Sequence, residues 1–124
     1  MSYPHLKGCT ILVVEDEPLI AMDIASAFEG TGASLTTTNS LKHAKLLVEK
    51  DGLSAAIIDH LLHDGDSTSI CTRLKERGVP FLIYSGLSID DAACKDVPHL
   101  MKPASHEQLL KAMEALIRDA NVAK

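Results

Sequence analysis

Short apolar runs alternate with amphipathic segments along the whole chain, and glycines or polar clusters separate them. Runs of four to eight residues that are rich in aliphatic and β-branched side chains are typical of strands buried on both faces of a sheet. Five such runs are predicted as strands: CTILVV (9–14), ASLTTT (33–38), SAAIID (54–59), VPFLIYSG (79–86) and PHLM (98–101).

Apolar residues at helical spacing follow each of the first three runs and the fifth. The start signals are Pro18 and the serines Ser40 and Ser105, and glycines end the first three segments. The predicted helices are PLIAMDIASAFEG (18–30), LKHAKLLVEKDG (41–52), DSTSICTRLKERG (66–78), with Asp66 or Ser67 as its cap after a turn at Asp64–Gly65, and SHEQLLKAMEALIRDA (105–120).

The interval 86–101 must hold two loops, a helix and the fifth strand. A usual helix has about 11 residues, which leaves too little room for one here. We therefore predict a short or irregular fourth helix around SIDDAACKD (88–96).

Strict alternation of strands and helices predicts an α/β fold, a doubly wound five-stranded parallel sheet with right-handed crossovers. Sheets of this size commonly take the strand order 2-1-3-4-5, and ligands bind outside the carboxyl ends of the strands at the switch point. At 124 residues the chain fits a single domain, residues 1–124, with its core at about 8–121.

Composition narrows the function classes. A net charge of -5 and 3% aromatic residues argue against nucleic acid and anionic lipid as partners. No signal peptide or apolar run long enough for a membrane span is present, so we expect a cytoplasmic protein. Cys9, Cys71 and Cys94 are odd in number and lack CxxC spacing, which fits a reducing compartment.

Polar side chains collect where the predicted strands end. Glu15 and Asp16 follow the first strand, Asp59 ends the third, Ser85 ends the fourth, and Lys102 follows the fifth. Three acids at one edge suit Mg²⁺, which prefers one or two carboxylates, water and phosphate oxygens. Asp59 could then act as a nucleophile that forms an aspartyl phosphate, with Lys102 as the neutralising cation.

Four motifs together resemble the response-regulator receiver domain of two-component signalling, in its single-domain form. They are VVEDE (13–17), AIIDHLLHDGDS (56–67), LIYSG (82–86) and MKP (101–103). The resemblance covers essentially the whole chain and implies the flavodoxin-like receiver fold. It also implies Mg²⁺-dependent transfer of a phosphoryl group from a phosphohistidine to Asp59.

Carried over by position, the resemblance implies a metal site and a switch. Asp16 would bind Mg²⁺ directly, Glu15 through water, and Leu61 through its backbone carbonyl, with Asp59 beside them. Lys102 would pair with the phosphoryl oxygens.

The switch would lie in the fourth and fifth strands. The Ser85 hydroxyl would move to bond a phosphoryl oxygen, so that the surface reports the modification. His99 stands three residues before the lysine, where receivers often carry an aromatic switch residue, and is either a switch or a plain surface residue.

The implied partners are a histidine kinase or histidine phosphotransfer protein as donor and a downstream protein as target. We expect a monomer or weak dimer, because the short fourth helix weakens the usual dimer face. Such a chain is not a dedicated enzyme, although it assists its own phosphorylation and slow dephosphorylation.

Short stretches of the sequence also resemble sites of other kinds. DGDST (64–68) resembles the dehalogenase-type phosphatase motif but does not directly follow a hydrophobic strand, and an EF-hand loop would lack its glycine and its final glutamate. The first loop is acidic and has no glycine, which disfavours a flavin or dinucleotide site. His60 and His63 leave a transition-metal site weakly open. A receiver-fold binding module that ignores phosphorylation also stays open.

Overall fold

The computed structural model describes residues 2–86 and 96–122. The strands are β1 (Thr10–Val14), β2 (Ser34–Thr38), β3 (Ala55–Ile58), β4 (Leu61–Leu62), β5 (Gly65–Asp66), β6 (Phe81–Ser85) and β7 (His99–Met101). The helices are a short 3-10 helix (Pro4–Leu6), α1 (Pro18–Ala27), α2 (Leu41–Leu47), α3 (Thr68–Glu76) and α4 (His106–Val122). The predicted fourth helix at 88–96 lies outside the described residues, apart from its last position.

Five of the strands form one parallel sheet in the order β2-β1-β3-β6-β7. Because β6 and β7 are the fourth and fifth predicted strands, this order confirms the predicted 2-1-3-4-5 arrangement. Val14 pairs with Thr38 on one side and with Ile58 on the other, so β1 and β3 end side by side at the same level.

Alternate residues of the central strands point to opposite faces, and each face has its own buried cluster. Leu12, Val14, Ile58 and Ile83 pack with the buried side chains of α2 and α3. The other face packs against the 3-10 helix, α1 and α4, through Ile11, Val13, Ile57, Leu82 and Tyr84. Burial on both faces explains why these strands are continuous apolar runs.

Two predicted helix caps are present. The Ser40 hydroxyl accepts a hydrogen bond from the His43 amide at 3.2 Å. The Ser105 hydroxyl accepts from the Gln108 amide at 3.1 Å, while the Gln108 side chain accepts from the Ser105 amide at 2.8 Å. This reciprocal capping box starts α4 three residues after Lys102. No helix within residues 2–86 and 96–122 is long and apolar enough to cross a membrane.

The segment after Asp59 differs from the prediction. Instead of a turn at Asp64–Gly65 that leads into the third helix, β4 and β5 form a small antiparallel hairpin, with His63 and Asp64 at its turn. Ser67 occupies the cap position of α3, and the Asp66 carboxylate accepts from the Thr68 amide at 3.0 Å. The predicted cap region is therefore correct, but the hairpin before it was missed.

Neighbouring leucines of α2 give a matched test of this core. Leu47 is 6% exposed and Leu46 is 69% exposed. We expect Leu47→Ala to lower the free energy of unfolding by about 2–5 kcal/mol, because it opens a cavity under the sheet. Leu46→Ala should change it by no more than about 0.5 kcal/mol. Urea unfolding followed by circular dichroism measures both, and equal losses would contradict the packing described here.

Candidate functional site

Backbone hydrogen bonds continue past the strand ends and hold the polar residues at the carboxyl edge of the sheet. The Glu15 amide donates to the Thr38 carbonyl at 3.0 Å, and the Asp59 amide donates to the Val14 carbonyl at 2.9 Å. The Lys102 amide donates to the Ser85 carbonyl at 3.1 Å. The sheet therefore fixes the backbone of these three residues.

Three carboxylates meet at this edge. Glu15, Asp16 and Asp59 each offer an oxygen, and these oxygens lie within 4.8 Å of one another. Glu15 and Asp59 are buried and Asp16 is half-buried. A cluster of carboxylate oxygens that is partly open to water is the kind of donor set that a hard divalent cation prefers.

Lys102 is the positive charge of the site. Its ammonium nitrogen lies 2.7 Å from Glu15 Oε1 and 3.3 Å from Asp59 Oδ2. One ammonium therefore contacts two of the three acids, and the cluster keeps an excess of negative charge.

This charge balance perturbs both Glu15 and Lys102. Burial, and after it the charge of Asp59, raise the pKa of Glu15 to about 7 against the opposing effects of Lys102 and the Glu17 amide. Burial alone would lower the pKa of Lys102, but the hydrogen bond and charge of Glu15, with those of Asp59, outweigh burial and raise it. The pocket thus favours additional positive charge.

The β4–β5 hairpin closes one side of the cluster. The His63 amide donates to Asp16 Oδ2 at 2.9 Å, and the His63 ring nitrogen Nδ1 lies 3.9 Å from the same oxygen. The Glu17 amide donates to Glu15 Oε2 at 3.2 Å. Two backbone amides therefore orient two of the acids.

Tyr84 is a residue that the sequence interpretation missed. The Lys102 ammonium lies 5.6 Å from the centre of the Tyr84 ring, within cation–π range. The Tyr84 hydroxyl accepts a hydrogen bond from the Ala104 amide at 3.0 Å. A tyrosine in an otherwise apolar strand was the available signal, because a buried tyrosine hydroxyl usually has a polar partner.

The remaining candidates lie around this centre. Ser85 is buried at the carboxyl end of β6. Leu61 begins β4 and is exposed, and His99 begins β7 and is exposed. Their proposed roles stay predictions.

Among the described side chains, the possible metal ligands at this edge are carboxylates only, although His63 contacts Asp16. In the part of the chain that the structure describes, the one group of three or more possible metal ligands is Glu15, Asp16 and Asp59. His60 Nδ1 instead lies 3.2 Å from the Ser67 hydroxyl. The transition-metal alternative therefore gains no support from the described residues.

Sequence comparison finds transcriptional regulatory proteins. The chain is 31% identical over 121 residues to the transcriptional regulatory protein TcrA of Mycobacterium tuberculosis H37Rv, covering 92% of this chain and 48% of that protein. The chain thus spans about half the length of the curated relatives that it matches. No protein-family model matches the chain.

Structure comparison finds receiver domains. The CheY-like response regulator receiver domain protein of Methanospirillum hungatei JF-1 superposes with a TM-score of 0.84 at 19% identity, over 94% of this chain and 98% of that one. The receiver domain of the sensor histidine kinase PA1611 of Pseudomonas aeruginosa PAO1, solved with a magnesium ion in its active-site cleft, gives 0.79 at 21% identity, over 90% and 98%. The chain has the fold of a response regulator receiver domain, as its motifs predicted.

Because the cluster carries excess negative charge, removing an acid and removing the lysine should change the free energy of unfolding in opposite directions. Without divalent cations at pH 8, Asp59→Asn should raise the free energy of unfolding by roughly 1–4 kcal/mol, the range for one like-charge repulsion at about 4 Å between bulk water and a protein surface. Lys102→Met should lower it by roughly 1–3 kcal/mol, because two buried carboxylates lose their cation. Urea unfolding in the presence of a chelator measures both changes.

Glu29→Gln is the control, because it removes a negative charge from an exposed position outside the site. It should leave the free energy of unfolding within about 0.5 kcal/mol of the wild-type value. A loss of stability in Asp59→Asn would contradict the electrostatics described above.

Proposed function

We propose that the chain is the phosphoacceptor receiver of a two-component or phosphorelay system. Asp59 accepts a phosphoryl group from a phosphohistidine, and the modification alters a protein-binding surface. The observation that carries this proposal is the meeting of the Asp59 carboxylate with two further carboxylates and one ammonium group at the carboxyl edge of the sheet.

The transfer is a displacement at phosphorus. An oxygen of Asp59 forms the new P–O bond, the P–N bond of the phosphohistidine breaks, and its electron pair leaves with the imidazole nitrogen. Lys102 already contacts Asp59 and is within reach to pair with the phosphoryl oxygens, whose charge it would balance.

Magnesium is the cofactor that the donor set fits. Glu15, Asp16 and Asp59, with the Leu61 carbonyl, would hold it, and when bound it neutralises charge on the phosphoryl oxygens. Burial and the charge of Asp59 raise the pKa of Glu15, so a cation held beside this carboxylate would offset both effects. A related receiver domain holds magnesium in its cleft.

Ser85 and Lys102 would convert the chemistry into a change of surface. Lys102 contacts two carboxylates now, and a phosphoryl group on Asp59 would offer it new partners. Ser85 ends the strand beside β3, so its hydroxyl is placed to bond a phosphoryl oxygen on Asp59. Contacts that form only after phosphorylation stabilise the conformation that makes them and so increase its population.

The partners follow from this function. The donor would be a histidine kinase or a histidine phosphotransfer protein, and the output a contact with a downstream protein in the cytoplasm, made by a monomer or weak dimer. The net charge of -5 gives this chain itself no electrostatic reason to bind DNA.

Intact-mass spectrometry tests the proposal. After incubation with a small acyl phosphate and Mg²⁺, the wild-type chain should gain one phosphoryl group, because the Asp59 carboxylate attacks the donor phosphorus. Asp59→Asn should gain none, and a chelator should abolish the gain. Ser85→Ala should still be modified, because its hydroxyl is proposed to act after the transfer.

Asp51→Asn is the matched control, since Asp51 is exposed and lies outside the site. It should be modified like the wild type. A gain that persists in Asp59→Asn, or no gain from several donors in a folded protein, would contradict the proposal. If the affinity for a protein partner also proved independent of the Asp59 carboxylate, the chain would instead be a binding module that acts without phosphorylation.

A further inference from the structure

The turn of the β4–β5 hairpin is attached to the start of α2. Both carboxylate oxygens of Asp64 lie 3.0 Å from the Leu41 amide nitrogen, and Oδ2 lies 3.4 Å from that of Lys42. The hydrogen bond from the Leu41 amide, with that from Lys42, lowers the pKa of Asp64. The Asp64 side chain is therefore an anionic acceptor for two amides of a helix that precedes it by more than 20 residues.

The same turn reaches the acid cluster through the preceding residue. His63 and Asp64 form the turn, and the His63 amide donates to Asp16 Oδ2 at 2.9 Å. Asp64 thus binds the start of α2, while its neighbour His63 binds Asp16, a proposed metal ligand. The hairpin itself is paired at Leu61–Asp66 and Leu62–Gly65, next to this turn.

Gly65 lets the hairpin approach α2 closely. Its φ of 137° lies in a region that side chains disfavour, and a Cβ at this position would lie 3.1 Å from Leu41 Cδ1. The backbone conformation next to Asp64 therefore favours glycine, and a side chain here would also push against Leu41.

We propose that Asp64 is a positioning residue for the metal site: by anchoring the hairpin turn to α2 it holds the His63 amide on Asp16. The inference rests on the proposed function, because it concerns how the same site binds its cation. Groups that orient metal ligands by hydrogen bonding commonly change metal affinity 10- to 100-fold when removed. Asp64 contributes through His63 and does not touch the cation.

A merely structural role as a helix cap makes a different prediction. The Ser40 hydroxyl caps α2 independently, through the His43 amide at 3.2 Å. Ser40→Ala therefore weakens the same end of the same helix and leaves the hairpin contacts in place. Any effect of Asp64 that arises only from the stability of α2 should be reproduced by Ser40→Ala.

Isothermal titration with Mg²⁺ of the full chain tests the proposal. Asp64→Ala should raise the Mg²⁺ dissociation constant about 10-fold or more, and Ser40→Ala should leave it within about twofold. Asp64→Asn, which keeps one oxygen acceptor, should recover part of the affinity. Circular dichroism establishes that each variant is folded.

Gly65→Ala gives a second route if Asp64→Ala does not fold, because it should displace the turn while keeping the Asp64 carboxylate. It too should weaken Mg²⁺ binding about 10-fold. Wild-type affinity in folded Asp64→Ala or Gly65→Ala, or an equal loss in Ser40→Ala, would overturn the proposal. Absence of Mg²⁺ binding by the wild-type chain would instead contradict the proposed function itself.

Discussion

The contact of one ammonium group with two buried carboxylates is the interaction on which the site depends. Lys102 extends from the end of β7, and its partners Asp59 and Glu15 follow β3 and β1. Because β6 separates β7 from β3, the lysine side chain must cross an intervening strand to reach them. Tyr84 belongs to that strand, and its ring faces the ammonium at 5.6 Å. The sheet order thus determines which residues can share the charge.

The fold was predictable because its determinants are local. Runs such as ILVV at 11–14 and AAII at 55–58 are apolar at every position, which occurs when helices cover both faces of a sheet. The caps Ser40 and Ser105 act within three residues of themselves, so their sequence signals were sufficient. The acid cluster was predictable for a related reason, since the carboxyl ends of adjacent parallel strands meet at one edge.

The missed features all depend on contacts between residues far apart in sequence. The His63 amide meets Asp16 across 47 positions, and the Asp64 carboxylate meets Leu41 across 23. A short hairpin such as LLHDGD at 61–66 has no alternating pattern long enough to predict it, and its turn residues contact both Asp16 and Leu41. The Tyr84 hydroxyl accepts a hydrogen bond from the Ala104 amide 20 positions away. The local sequence predicts that this hydroxyl has a hydrogen-bond partner but cannot identify which residue it is.

A crystal structure with Mn²⁺, located by its anomalous scattering, would show whether the three carboxylates hold a divalent cation. We expect one anomalous peak within about 2–2.5 Å of carboxylate oxygens of Asp16 and Asp59. Asp59→Asn crystals grown under the same conditions should show a weaker peak or none, if this site binds the cation. A wild-type structure without a peak at this edge of the sheet, in crystals where Mn²⁺ binds elsewhere, would contradict the proposed metal site.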